Sequence, residues 1–202
     1  QYIGVSESAY AIIILLSKAF DAVNDIVIGY LVDTKKIGKK SKYMPWILLG
    51  GVTLVVFNVM LFAPVKDFSQ WGKYAWCLGS YCLWSIAYTM VNVPYGSLLS
   101  LISKEPADRA SLSAWRSIGS MVGNMLPMVI LPLLIYDKVE GPDGEMIDVL
   151  NGNMVFVTAL IMGVIGFICF QFMIKNTEIR VDVDSKVNEE QPKFNVIKAL
   201  VN

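Results

Sequence analysis

Five stretches of the chain are apolar over lengths that suit a helix crossing a bilayer, with polar connections between them. They cover residues 9–32, 44–64, 74–102, 112–136 and 153–174. A hydrocarbon core needs about 20 helical residues at roughly 1.5 Å rise each, and each stretch supplies them. The apolar runs continue without the strict alternation of a lipid-facing barrel strand, so the pattern predicts helices and an all-α polytopic membrane protein. Residues 1–174 then form a transmembrane bundle, and 175–202 form a polar cytoplasmic linker. Near its end, Phe194, Val196, Ile197, Leu200 and Val201 mark the apolar face of a short amphipathic helix.

Composition agrees with that pattern. Of 202 residues 55% are apolar and 17% charged, with a mean hydropathy of +0.54, more apolar than a water-facing surface tolerates. A formal net charge of zero gives no reason to expect a nucleic-acid partner, and the charges are instead sorted by connection. The first connection carries Lys35, Lys36, Lys39, Lys40 and Lys42, and the third carries Lys104 and Arg109. The fourth sets Asp137, Glu140, Asp143, Glu145 and Asp148 against Lys138 alone. Basic loops stay inside, so the odd connections are expected in the cytoplasm and the chain's start outside. With Gln1 first and no signal-type leader, an earlier helix is expected, making these about five of six amino-terminal spans in a plasma or inner membrane.

The first span breaks the apolar rule with Lys18, Asp21, Asn24 and Asp25. At about 100° per residue Lys18, Asp21 and Asp25 share one helix face. A charge at the bilayer centre costs about 2.5 to 3.5 kcal/mol on insertion scales, so that face must line a bundle interior or a wet cavity. Two carboxylates and an amide oxygen one turn apart offer hard ligands for Na⁺ or Li⁺, or a carboxylate that holds a proton. Lys18 can neutralise one carboxylate when the cation is absent. A static ion-pair network that only fixes helix packing is the other reading.

Elsewhere, Thr89 and Asn92 share a face of the third span, and Pro94 frees a carbonyl one turn upstream. Trp84 and Tyr88 lead towards that face and suit either stacking on a sugar ring or core packing. Arg116 suits bidentate bonds to sugar hydroxyls or to an acid, or snorkelling to the interface. Gly119 and Gly123 form a GxxxG that predicts close helix approach. Trp46, Trp71, Tyr74 and Tyr136 sit near span ends and read as an interfacial belt. Cys77, Cys82 and Cys169 lie in apolar runs without metal or disulfide spacing, and the chain has no His. No nucleophile and base pair is visible, so an enzyme is not expected.

The stretches KAFDAVNDIVIGYLVD (18–33), PWIL (45–48), YTMVNVPYGSL (88–98) and RASLSAWRSIGS (109–120) resemble the glycoside–pentoside–hexuronide cation symporters. These form the melibiose-permease-like branch of the major facilitator superfamily. The resemblance implies cation-coupled symport of a sugar or glycoside by alternating access, with no cofactor beyond the coupling Na⁺, Li⁺ or H⁺. It places the cation at Asp21 and Asp25, near Thr89, and sugar at Arg116 and at the position of Asn92; from the residues themselves, Asn24 joins the cation side and Lys18, Trp84 and Tyr88 join the substrate side. Where the family has an aspartate this chain has Asn92, and where melibiose-type members have Trp it has Gly96. A first helix and a carboxy-terminal six-helix half are the further partners implied. A sugar receptor or scaffold on the same fold, without flux, is the alternative.

Overall fold

The computed structural model describes residues 6–35, 37, 42–65, 67–140 and 143–180. Most of the linker, with its amphipathic face at 194–201, lies outside them. Five helices follow in order: α1 Glu7–Thr34, α2 Met44–Leu61, α3 Gln70–Ile102, α4 Pro106–Ile135 and α5 Gly152–Asn176. Their starts carry residues that satisfy or dispense with the unpaired N–H groups of a first turn. Ser6 accepts from the Ala9 amide, Ser69 from Gly72, and Asn151 from Asn153 and Met154. Pro45 and Pro106 occupy first turns where no donor is needed.

The helices depart from the hydropathy pattern at their ends. α2 stops at Leu61 rather than residue 64, because Pro64 disfavours helical backbone just before it. α3 and α4 begin earlier than their apolar runs, since polar first turns do not register as hydrophobic. The acidic connection is not simply a loop. β1 (Tyr136–Glu140) pairs antiparallel with β2 (Met146–Leu150), and Gly144 sits in the turn with a φ of 76°. The Pro and Gly around that turn were the available hairpin signal.

Three helices, α2, α4 and α5, are long and apolar enough to cross a membrane on composition alone. The other two, α1 and α3, are longer than α2 but carry the polar residues described below. The packing is centred on α3, which meets α2 and α1 along their lengths, while α5 packs on α2. Ile28 and Val32, Tyr43, Trp46 and Ile47, and Val91, Leu98 and Leu101 form one core between α1, α2 and α3. Trp46 belongs to this core rather than to an interfacial belt: its indole N–H donates to the Lys35 carbonyl at 3.1 Å, tying the loop to α2. Burial, then the nearby Asp33 carboxylate, raises the Tyr43 phenol above its ordinary pKa, so it stays neutral beside that loop. Trp71, in contrast, is 82% exposed, as a belt residue would be.

The closest backbone approach is not at the GxxxG. A Cβ built on Gly119 or Gly123 meets nothing within 4 Å, because α4 has no buried residues among those described. At Gly50 a Cβ would lie 2.8 Å from Val91 Cγ2 and 3.0 Å from Met90 Cβ, so a glycine is what lets α2 reach α3. Gly50→Ala is expected to lower the thermal midpoint in detergent by the equivalent of about 1 to 3 kcal/mol. Gly119→Ala should leave it unchanged or slightly higher, and equal effects would contradict this packing.

Candidate functional site

The polar face of α1 meets α3 along one seam. Asp21 and Asp25 are i,i+4 neighbours on α1, and Ser85 and Thr89 are i,i+4 neighbours on α3, so the two helices present matched rungs. Ser85 Oγ donates to Asp21 Oδ1 at 2.5 Å, the length of a charge-assisted bond between hydroxyl and carboxylate. Thr89 Oγ1 donates to Asp25 Oδ1 at 2.9 Å. Thr89 Oγ1 also lies 3.0 Å from the Ser85 carbonyl oxygen, but it has a single proton to give and the charged carboxylate is the stronger acceptor.

Asn24 sits between the rungs, 6% exposed. Its amide donates to Thr89 Oγ1 at 3.0 Å and to the Ser85 carbonyl at 3.4 Å. The structure therefore uses the Asn24 amide N–H to orient the Thr89 hydroxyl, and the side-chain oxygen is a separate acceptor that these bonds do not occupy. A burial without those bonds would leave an unpaired amide at about 1 to 3 kcal/mol.

The two carboxylates differ in what surrounds them. Asp21 accepts from Ser85, from Tyr81 Oη at 3.0 Å and from Lys18 Nζ at 3.2 Å. Lys18 also reaches Tyr81 Oη at 3.3 Å and stays largely exposed. Asp25 is exposed and has only the Thr89 hydroxyl among the described residues, so most of its acceptor capacity faces open space. No group of three or more His, Cys, Asp and Glu gathers among the described residues. Ligands beyond the two carboxylates would be the Ser85, Thr89 and Tyr81 hydroxyls and nearby carbonyls.

One turn along α3 from Thr89, a groove of about 530 Å³ opens between α3 and α4, with the end of α5 at its edge. Tyr88, Asn92 and Tyr95 line it from α3, and Trp115, Arg116 and Ser120 from α4. Its size is that of a small-molecule site. The Arg116 guanidinium rests over the Tyr95 ring, 4.9 Å from the centroid. Trp84 does not line this groove; it stacks on Tyr88 at 5.3 Å and 12°, and next to Tyr81 at 6.0 Å. One of its faces is thus taken by a neighbouring ring. Lys18 likewise joins the carboxylate seam rather than the groove.

The profile of the MFS/sugar transport protein family matches residues 1–201. The chain belongs to that family. Within it, the chain falls among the glycoside–pentoside–hexuronide cation symporters of the major facilitator superfamily, and is a multi-pass integral membrane protein. It is 32% identical over 94% of its length to the symporter YjmB of Bacillus subtilis (strain 168), and 30% identical over 92% to the glucuronide carrier protein homolog of Escherichia coli (strain K12). The inner membrane symporter YicJ of Escherichia coli (strain K12) is 28% identical over 89% of the chain. The chain spans 39%, 39% and 37% of these relatives' lengths.

For this family member, sequence reasoning named Lys18, Asp21, Asn24, Asp25 and Thr89, which the structure gathers in one seam, and Asn92, Tyr88 and Arg116, which it gathers in the groove. Tyr81 and Ser85 were missed. The signal available was the row 81, 85 and 89 on α3, at the same four-residue step as Asp21 and Asp25. Thr89→Val keeps the shape but removes the hydroxyl that joins Asn24 to Asp25. It is expected to destabilise the protein by about 1 to 3 kcal/mol in thermal unfolding, whereas Thr89→Ser, which keeps the hydroxyl, should retain most of the parent's stability. A Val variant as stable as the parent would show that the rung bears no energy.

Proposed function

We propose that the complete protein is a secondary transporter that carries a sugar or glycoside with a monovalent cation, Na⁺, Li⁺ or H⁺, by alternating access. One observation carries this reading: two carboxylates, unequally satisfied among the described residues, where α1 meets α3 in a membrane bundle. A purely structural ion pair would be expected to saturate both acids, since an unpaired charge in a membrane face is costly. Among the described residues Asp21 accepts from three donors and Asp25 from one. Asp25 is therefore the position at which a cation or proton gains most, with Thr89 Oγ1 and Asp21 as its neighbours.

Lys18 gives the cycle an internal counter-charge. It balances one acid in the cation-free state, and an arriving cation balances the other. Because the site lies between α1 and α3, cation binding favours whichever arrangement of the helices closes the rungs, which is how a bound ion can shift a conformational equilibrium. The groove at Asn92 and Arg116 shares α3 with that site, so a movement of α3 is felt at both. The relatives' names agree in kind: a glucuronide carrier homolog, two bacterial symporters and, at 31% identity over 122 residues, the sodium-dependent lysophosphatidylcholine symporter 1-A of Danio rerio.

Reconstituted into vesicles, the complete protein is expected to accumulate glycoside under an inward Na⁺ or H⁺ gradient. Asp25→Asn should reduce gradient-driven accumulation to background while leaving downhill exchange measurable. Accumulation by the variant at the parent's level would remove Asp25 from the mechanism, and sugar binding without any flux would favour a receptor on the same fold.

A further inference from the structure

We propose that an apolar groove between the first turns of α1 and α3 is a site for the acyl chain of a phospholipid. The groove has a volume of about 410 Å³. Ala9, Ile12 and Leu16 line it from α1, and Trp71, Tyr74 and Leu78 from α3. No charged residue belongs to its lining. Hydrocarbon can therefore fill it without desolvating a charge, and no cation stands there to hold the carboxylate of a free fatty acid. The groove lies at the ends of both helices remote from the basic connections that follow Thr34 and Ile102. With those connections in the cytoplasm, it opens on the outer leaflet. Trp71 and Tyr74 form a T-shaped pair at its outer end, ring centroids 5.8 Å apart, where aromatic rings meet lipid headgroups. Their indole N–H and phenol are donors, and the ester and phosphate oxygens of a phospholipid are acceptors.

Direction and length together select a lipid chain over a protein segment. Leu16 and Asp25 are nine residues apart, which at about 100° per residue puts them on opposite sides of α1. The groove thus faces away from the open carboxylate. Val23 and Val27 fall within about 20° of Leu16 on the same side and are exposed, so the groove runs into an apolar stripe that suits lipid. Each wall is about two turns long, or about 10 Å. Past it the two helices close: Ser17 is buried, and Lys18 Nζ lies 3.3 Å from Tyr81 Oη. A further spanning helix needs about 30 Å of groove, whereas one leaflet of hydrocarbon is about 15 Å deep, a depth that a single acyl chain occupies.

The test uses the complete protein in dioleoylphosphatidylcholine vesicles doped with phosphatidylcholine that carries a diazirine near the start or near the end of one acyl chain. After irradiation, mass spectrometry maps the label. The groove residues should take about fivefold more label than Val52 and Val56, which are similarly exposed on α2, the ratio that about 1 kcal/mol gives. The shallow diazirine should mark Trp71 and Tyr74, and the deep one Leu16 and Leu78. Ala75→Phe fills the groove from α3 and should lower its label to the α2 level, and Ala9→Phe does the same from α1 if the first variant does not fold. Equal labelling of the groove and α2 means ordinary bilayer contact and overturns the inference. Enrichment that survives filling overturns it too, as does a groove without label because another part of the complete protein covers it. If neither variant folds, the parent's enrichment over α2 and the order of depths decide the matter. None of these outcomes bears on the transport reading, which gradient-driven uptake tests separately.

Discussion

The pairing of two α1 carboxylates with two α3 hydroxyls is the interaction on which the arrangement depends. Aspartates in a membrane helix cannot face lipid without a large penalty, so α1 must keep one face against a polar partner. α3 is that partner, and the four-residue step of Asp21 and Asp25 matches that of Ser85 and Thr89. This leaves α2, α4 and α5 each with a stretch apolar enough to cross a membrane, while α4 keeps Arg116 at the groove. Gly50 completes the arrangement from the other side by bringing α2 onto the same helix. α3 is thus held between a dry contact and a polar one.

The same helix links two chemistries. Thr89 belongs to the carboxylate seam and Asn92, one turn on, to the groove with Arg116. Tyr81, Trp84 and Tyr88 run along the flank between them, Tyr81 bonding Asp21 and Tyr88 lining the groove. Pro94 lies inside α3 and is buried, at the position where a freed carbonyl and a local bend would fall near both. A displacement of α3 relative to α1 would alter the donors available to Asp25 and the width of the groove together. In the proposed transporter, that shared mechanical element would be the physical content of coupling between an ion and a solute.

Most of the helical framework was legible because hydropathy is set residue by residue and does not depend on partners. The hairpin at 136–150 was not, since two five-residue strands give little periodicity and their charges read as a solvated loop. At the site, the acids were conspicuous because they violate the apolar pattern. Ser85 and Tyr81 were not, because hydroxyls occur throughout membrane helices and gain meaning only from the register in which α3 crosses α1. Asn24 shows the same limit: its residue type offered both an oxygen and an amide, and only the fold turned the amide towards Thr89. The GxxxG misled for a related reason, as small residues permit close approach only where another helix arrives.

The central claim is that Asp25, seated on Thr89 and otherwise open, holds the coupling ion while Asp21 is retained by Lys18, Tyr81 and Ser85. Carbodiimide modification of membrane carboxyl groups, quantified by mass spectrometry on the complete protein, measures this residue by residue. The account predicts that Asp25 reacts faster than Asp21, and that the coupling cation, supplied as Na⁺, Li⁺ or raised proton concentration, changes the rate at Asp25 while choline does not. Equal and cation-independent reaction at both aspartates would contradict it.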